Sequence, residues 1–481
     1  MIRWIWPTRS ATSSARQMIK RMQMRFFYVK MIYNCLALEI SMNEYFLNEM
    51  KNLLKDEYDA FMKTQDDEMY RGIRINPART SIDELRQYFD IGEKTPFDEN
   101  TYYLTSEEKL GTHPFHLGGL YYLQEPSATA AVNALSIQEN DKVLDLCAAP
   151  GGKSTQILSA LNQTGFLVSN EINAGRAETL AGNLERWGYD NYVVTSMETG
   201  QLCSQFEGYF DRILVDAPCS GASMFKKYPE SVYDYTERNV LACSYRQLEI
   251  LDNAYKALKE GGTLVYSTCT YNQTENENVV LQFLKNHLDC SLLDTGLECG
   301  RKGIEFEDLD VSKLTRIFPM DGGEGHFICK MVKNSSSNTS KVRSIPFSHD
   351  KTVDDFIKKN MKTGVRYTLI NDRIYASTGY LIDFKGRILR QGIPMGTIVK
   401  NRVEPYHGFF TAIMNENSFM NRHEADDSEI NKFLLGESIP SGEKGYVQIC
   451  YKGHPVGFGK GDGRQIKNHL PKGLRLKQRF N

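Results

Sequence analysis

An apolar strand, Lys142-Val-Leu-Asp-Leu, runs without a break into Cys147-Ala-Ala-Pro-Gly-Gly-Lys153-Ser-Thr and then into a helical pattern through Ile157 and Leu161. A strand that turns on tiny residues and opens a helix constrains the fold more than any other feature of this chain, because it is the first unit of a nucleotide-type α/β sheet. Further apolar segments follow at helix-long intervals: Gly165-Phe-Leu-Val-Ser-Asn, Asn191-Tyr-Val-Val-Thr, Phe210-Asp-Arg-Ile-Leu-Val-Asp and Gly262-Thr-Leu-Val-Tyr-Ser. Alternating strands and helices predict an α/β domain over 129–333 with a doubly wound, mostly parallel, Rossmann-like sheet. Ligands are then expected at the carboxyl ends of the strands.

The rest of the 481 residues divides by charge and pattern. Residues 1–41 hold 7 basic and 1 acidic residue and have no clear apolar face. They read as an unstructured extension, either an organellar leader or a stretch preceding a true start at Met42; the second is preferred, for want of a cleavage signal. From 42 to 128 a small domain is expected, helical through Phe46, Met50, Leu53 and Leu54 and again after Ser81, with one strand at Tyr70-Arg-Gly-Ile-Arg-Ile-Asn-Pro. Ser81 with Glu84 three residues on has the spacing of a capping box. Whether Arg71, Arg74 and Arg79 meet phosphate is left open by the pattern alone. Residues 334–344 form a polar linker, and 345–481 break into short strands and turns, one or two β-rich modules. The last 31 residues, from Tyr451, carry 8 basic and 1 acidic residue in a chain whose totals of 58 basic and 60 acidic nearly cancel. Such a block suits an anionic partner.

The turn after the first strand invites a phosphate-loop reading at Gly152-Lys-Ser. That motif demands glycine where this chain has Cys147, and the dinucleotide pattern G-x-G-x-x-G is missing as well. The small residues and paired glycines are instead expected to let backbone approach a ligand, with the helix N-terminus supplying free N–H groups. The next two strands end near Glu171 and Glu198. With Asp145 they place three carboxylates at successive strand tips, Glu171 suited to a ribose diol and Glu198 to an adenosine. A lone Glu at a strand end is commonly surface, and that reading applies most to Glu198.

Ten cysteines lie scattered without a C-x-x-C pair, which excludes a disulfide scaffold and gives zinc no spacing to use. No stretch approaches the roughly 20 apolar residues of a membrane span. Cys35, Cys203, Cys243, Cys290, Cys299, Cys329 and Cys450 read as small buried hydrophobes. Cys219, in Asp216-Ala-Pro-Cys-Ser-Gly221, and Cys269, in Ser267-Thr-Cys269-Thr, differ because each follows a strand on the ligand-binding edge. A pyrimidine is inert at carbon 5 until a nucleophile adds at carbon 6, and a thiolate adds and departs readily. An acid near ring nitrogen 3, here Asp216, is expected to stabilise the charge that develops, and a base must remove the carbon 5 proton.

In order and spacing, Asp145-x-Cys-Ala-Ala-Pro-Gly-Gly-Lys153, Asp216-Ala-Pro-Cys-Ser-Gly221 and Ser267-Thr-Cys269 resemble the Nol/Nop/Sun family of RNA cytosine-C5 methyltransferases, and within it the bacterial RsmF-type ribosomal RNA enzymes. His116-Leu-Gly-Gly-Leu-Tyr-Tyr-Leu-Gln-Glu-Pro-Ser127, Arg246-Gln and Gly323-Glu-Gly-His-Phe327 add to the likeness, which runs from about Met42 to the C-terminus. The resemblance implies a class I methyltransferase fold and S-adenosylmethionine as methyl donor. It implies Cys269 as the nucleophile, Cys219 as the group that assists product release, and a pocket lined by Cys147, Ala148, Ala149, Pro150, Gly151, Gly152, Lys153, Glu171, Glu198 and Asp216. Two positions depart from the family pattern: Glu198 replaces the usual Asp, and Ala222-Ser223 replace a commoner Glu-Gly.

The stretch from Gly445 to Lys460, with Ile466 to Arg475, is similar to the PUA-like module that ends such enzymes. There Tyr446, Tyr451 and Phe458 are expected to stack on unpaired bases while the lysines follow phosphates. The resulting expectation is a monomeric, cytoplasmic enzyme, off the membrane, that methylates cytosine in ribosomal RNA or the small ribosomal subunit. A tRNA substrate, a DNA methyltransferase with the roles of Cys219 and Cys269 exchanged, and a silent RNA-binding assembly factor are the alternatives.

Overall fold

The computed structural model describes residues 43–105, 109–335, 339–379 and 381–480. The basic extension 1–41, Cys35 and part of the linker lie outside the described residues. At the centre stands the expected sheet. Its parallel heart runs β9 (Leu258–Thr268), β8 (Phe210–Asp216), β5 (Lys142–Asp145), β6 (Phe166–Asn170) and β7 (Tyr192–Thr195), in that spatial order. The order reverses between β5 and β8, so the crevice for a ligand lies beyond their carboxyl ends. Neighbouring residues on each strand serve opposite faces: Leu144, Val168, Ile213 and Leu264 enter one core, and Val143, Leu167, Leu214 and Val265 the other. That two-sided burial is why these strands are apolar throughout.

Both edges are finished by strands of opposite direction. On one side β13 (His326–Lys333) lies antiparallel to β9 and is flanked by β12 (Thr315–Ile317) and β10 (Cys290–Leu293). On the other, β18 (Ile388–Gln391), from the C-terminal third of the chain, pairs antiparallel with β7. The region beyond the linker therefore contributes a strand to the central sheet.

The N-terminal region is less helical than its pattern predicts. Besides β1 (Gly72–Ile75), which the alternation locates, it contains β2 (Ile91–Lys94), β3 (Thr101–Leu104) and β4 (Tyr121–Gln124), forming an antiparallel sheet in the order β2, β3, β1, β4. These strands are four residues long, too short for a period of two to stand out. The helix after Ser81 is one turn, Ile82–Leu85. Ser81 Oγ does accept from the Glu84 amide, but the Glu84 carboxylate turns outward to the Thr80 hydroxyl (2.8 Å) and His454 Nε2 (2.7 Å) instead of closing a capping box.

Beyond the linker are two β modules. One is a four-stranded antiparallel sheet built from β15 (Tyr367–Ile370), β16 (Arg373–Ala376), β19 (Ile393–Val399) and β20 (Arg402–Pro405). The other is a five-stranded sheet centred on β23 (Lys444–Tyr451) and β24 (His454–Asp462). The last module shares one hydrophobic core with the first: Ile73, Leu85, Phe115 and Tyr121 pack with Phe433, Val447, Ile449 and Val456. Two of the three aromatics expected to meet bases belong to these cores. Tyr451 is 5% exposed and donates to Asp427, and Phe458 is 2% exposed and stacks on Phe410 at 4.2 Å. Only Tyr446 is half-exposed.

Two of the three arginines whose role was open are structural. Arg79 is buried and donates to the Thr411 carbonyl. Arg74 is 1% exposed and donates to the Gly152 carbonyl at 2.7 Å and to the Thr155 hydroxyl, with its guanidinium 5.2 Å from the Trp187 ring. It clamps β1 to the helix Gly152–Leu161 that follows the glycine-rich turn. Burial pulls the Arg74 guanidinium down to about 10, so it stays charged at neutral pH. Arg74→Met leaves those buried acceptors unpaired and should lower unfolding free energy by about 3 kcal/mol; an unchanged denaturation midpoint contradicts the clamp.

Candidate active site

Strand β5 delivers Asp145 and then Cys147 to the switch point. Asp145 is fully buried and accepts from Ser154 Oγ at 2.6 Å, while its other oxygen has no hydrogen-bond partner. Burial pushes its carboxyl up to about 7. The glycines behind it pack closely against protein. Gly151 has φ of 110°, and a Cβ there would come within 3.0 Å of Leu180; a Cβ on Gly152 would come within 2.8 Å of Gln124 Oε1. Both are therefore needed for close packing against protein.

A cleft of about 410 Å³ opens beyond β5, β6 and β8. Cys147, Ala149, Glu171, Glu198, Asp216, Cys219 and Cys269 all stand on its wall. Ala148, Pro150, Gly151, Gly152 and Lys153 are not wall residues: Ala148 is buried behind the turn and Pro150 faces outward. Glu171 is 4% exposed, accepts from the Asn173 amide and lies 3.3 Å from Arg176, which also donates to the Ala149 carbonyl. Glu198 lies exposed on the rim.

Lys153 reaches across to β8. Its Nζ donates to Asp216 Oδ2 at 2.8 Å, and Ser267 Oγ donates to Asp216 Oδ1 at 2.7 Å. Burial works to raise the Asp216 carboxyl, but Lys153 and Ser267 outweigh it and hold the group below its ordinary value. Asp216 is thus a carboxylate at neutral pH and can only accept a hydrogen bond. The donor of the pair is the Lys153 ammonium, whose pKa burial would lower but the Asp216 partner raises.

The two cysteines set apart by position converge: Cys219 Sγ and Cys269 Sγ are 3.1 Å apart. The hydrogen bond to Cys269, together with burial, pushes the Cys219 thiol well above its ordinary range. The surrounding loops are fixed around Glu275, which sequence reasoning did not single out. Buried Glu275 accepts from the Ser220 amide (2.9 Å), Gln247 Nε2 (2.8 Å) and Asn272 Nδ2 (2.7 Å), and Gln247 also donates to the Pro218 carbonyl. One carboxylate therefore ties the Cys219 loop to the segment after Cys269. Ser223, in the Ala222-Ser223 departure, donates from both its amide (3.2 Å) and its hydroxyl (2.9 Å) to the Cys269 carbonyl. Ala222 packs with Phe46, Phe225 and Tyr235 in the aromatic cluster beneath the loop.

His326, at the start of β13, brings its Nε2 to 3.4 Å from Lys153 Nζ and is 6% exposed. It lies in the Gly323-to-Phe327 motif, though nothing in the spacing ties that motif to Lys153. Burial, reinforced by Lys153, pulls the imidazole down to about 3, so it is neutral and accepts from the ammonium. Among the described residues no group of three or more His, Cys, Asp or Glu is placed to hold a metal ion, and no helix is long and apolar enough to cross a membrane.

Three family models cover the chain in series. Residues 42–126 match the N-terminal domain of 16S rRNA methyltransferase RsmF, 132–332 match 16S rRNA methyltransferase RsmB/F, and 420–476 match the methyltransferase RsmF PUA domain. The chain belongs to the RsmB/F methyltransferase family. Relatives named ribosomal RNA small subunit methyltransferase F include one from Aliivibrio fischeri, 28% identical over 88% of this chain and 94% of the relative, and one from Vibrio cholerae, 29% identical over 90% and 98%. A methyltransferase homolog protein from Pyrococcus horikoshii superposes with a TM-score of 0.55 at 26% identity, covering 62% of this chain and 97% of that one. The structure described as NSun6 from Pyrococcus horikoshii with SFG superposes with a TM-score of 0.53 at 21% identity, covering 60% and 98%, and shares the fold.

The family's S-adenosylmethionine suits the groups present. The orphaned Asp145 oxygen, the Glu171 carboxylate over the crevice and rim Glu198 offer acceptors for hydroxyl, amino and cationic groups.

A pH signature follows from His326. In the folded protein it takes a proton only below about pH 3, against an ordinary 6.5, so unfolding between those values binds a proton. Its contribution is intact above pH 6.5 and is lost as pH falls toward 3, at up to about 1.4 kcal/mol per pH unit. Buried His113, His116 and His407, lowered to about 4, 3 and 4, act in the same direction. His326→Gln should flatten the fall in urea midpoint between pH 6.5 and 4; an unaltered slope refutes the buried neutral imidazole.

Proposed function

We propose that this protein methylates carbon 5 of a cytosine in ribosomal RNA, with the 16S RNA of the small subunit as substrate and S-adenosylmethionine as donor. The observation that carries this reading is the Cys219 and Cys269 pair at 3.1 Å on the cleft wall, beside a carboxylate held ionised by Lys153. The names of the relatives and the RsmF-type modules at both ends support an RNA substrate and a cytoplasmic setting. Cysteine chemistry next to an acceptor–donor pair supports cytosine.

With the two sulfurs 3.1 Å apart, an S–H on Cys219 directed at Cys269 favours negative charge on Cys269. Cys269 is then the better nucleophile. Its lone pair forms a bond to carbon 6, and the electrons of the 5,6 double bond move toward carbon 5. Asp216 accepts from the exocyclic amino group, and the Lys153 ammonium bonded to Asp216 behind the wall places a positive charge near the ring, steadying the charge that develops there. When bound, S-adenosylmethionine supplies an electrophilic methyl group that carbon 5 attacks. Cys269 attacks as the thiolate, its proton released to solvent through the cleft; after methyl transfer the Cys219 proton likewise passes to solvent, and the Cys219 thiolate takes the proton leaving carbon 5 as the double bond re-forms and the bond between Cys269 and carbon 6 breaks. Cys147 and Ala149, with Glu171 and Glu198, shape the donor's side of the cleft, and the turn through Ala148, Pro150, Gly151 and Gly152 holds that wall in place.

The DNA-type alternative makes Cys219 the nucleophile, but a thiol pushed up by its neighbour and by burial is the poorer one. With 16S RNA or small subunits from cells lacking this protein, Cys219→Ala should accumulate a denaturant-resistant protein–RNA adduct and Cys269→Ala should form none. Both should lose methyl transfer by on the order of a thousandfold or more. Adduct with Cys269→Ala alone would reverse the assignment.

A further inference from the structure

Away from the cysteines, a cleft of about 600 Å³ lies between the helix Lys351–Asn360, the turn at Asn401–Val403 and strands β23 and β24. Its walls present Lys351, Lys359, Arg402 and Lys460 against one acid, Asp355. All four basic side chains are exposed. Among the described residues only Arg402 is neutralised, by Glu404 at 2.6 Å. Lys351 and Lys359 sit eight residues apart on one helix, about 12 Å along its axis. That is the rise of three or four stacked nucleotides at about 3.4 Å each.

The remaining feature is Tyr446. Its ring is braced by Phe356 at 5.8 Å and Phe458 at 6.2 Å, and Phe458 is itself stacked on Phe410. Lys460 Nζ stands 5.4 Å from the Tyr446 centroid. An aromatic held by its neighbours, partly open and surrounded by unpaired ammonium groups, matches a base face and the phosphates on either side of it. An acidic peptide would satisfy the lysines but leave a flat ring without a flat partner.

We propose that this cleft grips a single-stranded segment of the RNA substrate outside the target nucleotide, with Tyr446 stacked on a base and Lys351, Lys359 and Lys460 on phosphates. The inference rests on the RNA-methyltransferase reading and extends it. The wall supplied by residues 351–403 falls between the matched stretches 132–332 and 420–476, so the family models do not imply it.

The test uses the full chain and a fluorescein-labelled 12-nucleotide oligouridylate, with calorimetric binding of S-adenosylmethionine as the check that each variant is folded. Tyr446→Ala should weaken oligouridylate binding at least about fivefold, and Tyr446→Phe should restore it. The double variant Lys351→Gln with Lys359→Gln should weaken binding about tenfold and reduce the salt slope by about 0.7 for each lysine. Affinities within twofold of the unaltered protein for both variants overturn the proposal. So does a loss that appears with polyglutamate and not with oligouridylate, which would make the cleft a peptide groove. If the variants behave as expected but the protein methylates no RNA, the functional reading fails and the cleft stands. Normal oligouridylate binding by the variants alongside intact methylation removes the cleft alone.

Discussion

The site depends on the register of β8 against β9. Asp216 lies opposite Ser267, and the Ser267 hydroxyl closes onto the Asp216 carboxylate at 2.7 Å. From that matched pair each strand runs only a few residues to its cysteine, so two sulfurs 50 positions apart in sequence finish 3.1 Å from each other. A slip of one residue would turn one of the two strands' side chains to the opposite face. The aromatic and apolar packing around the sheet, the Glu275 network and the Ser223 clamp all preserve this alignment.

Charge organises the same few ångströms. Lys153 comes from the first turn of the helix after β5 and Asp216 from the end of β8, so their ion pair spans the switch point itself. His326 arrives from an antiparallel strand and stays neutral because it is buried beside an ammonium. The outcome is a carboxylate that accepts, an ammonium that donates and a thiol pushed above its ordinary range, with each set by its neighbours rather than by residue type.

Much of this was legible in the sequence. Five strands of the sheet could be read because each is buried on both faces and therefore continuously apolar. Cys219 and Cys269 could be set apart from the other cysteines because each lies just beyond a strand end. Less was legible wherever function depends on elements meeting in space. Glu275 looks like any helix-flanking acid until Ser220, Gln247 and Asn272 converge on it. In the sequence Ala222-Ser223 are only a departure from the family pattern, yet Ser223 holds the Cys269 carbonyl. Tyr451 and Phe458 are expected at an RNA surface and are packed inside, because local composition does not reveal that Tyr451 enters the core shared by the first and last modules and Phe458 the core built with Val353, Phe410 and Phe419. The short strands of the N-terminal sheet escaped notice for a simpler reason: four residues hold too little periodicity.

Separate contacts join the flanking regions to the central sheet: β18 extends the sheet beside β7, and Arg74 fastens the first module to the helix after the glycine turn. The account is tested most directly by incubating the unaltered protein and S-adenosylmethionine with 16S RNA transcribed using 5-fluorocytidine triphosphate, since fluorine blocks the final loss from carbon 5. Digestion and mass mapping should then find the modified nucleotide bonded to the peptide that contains Cys269. A nucleotide on the Cys219 peptide, or full methyl transfer with no adduct at all, would contradict it.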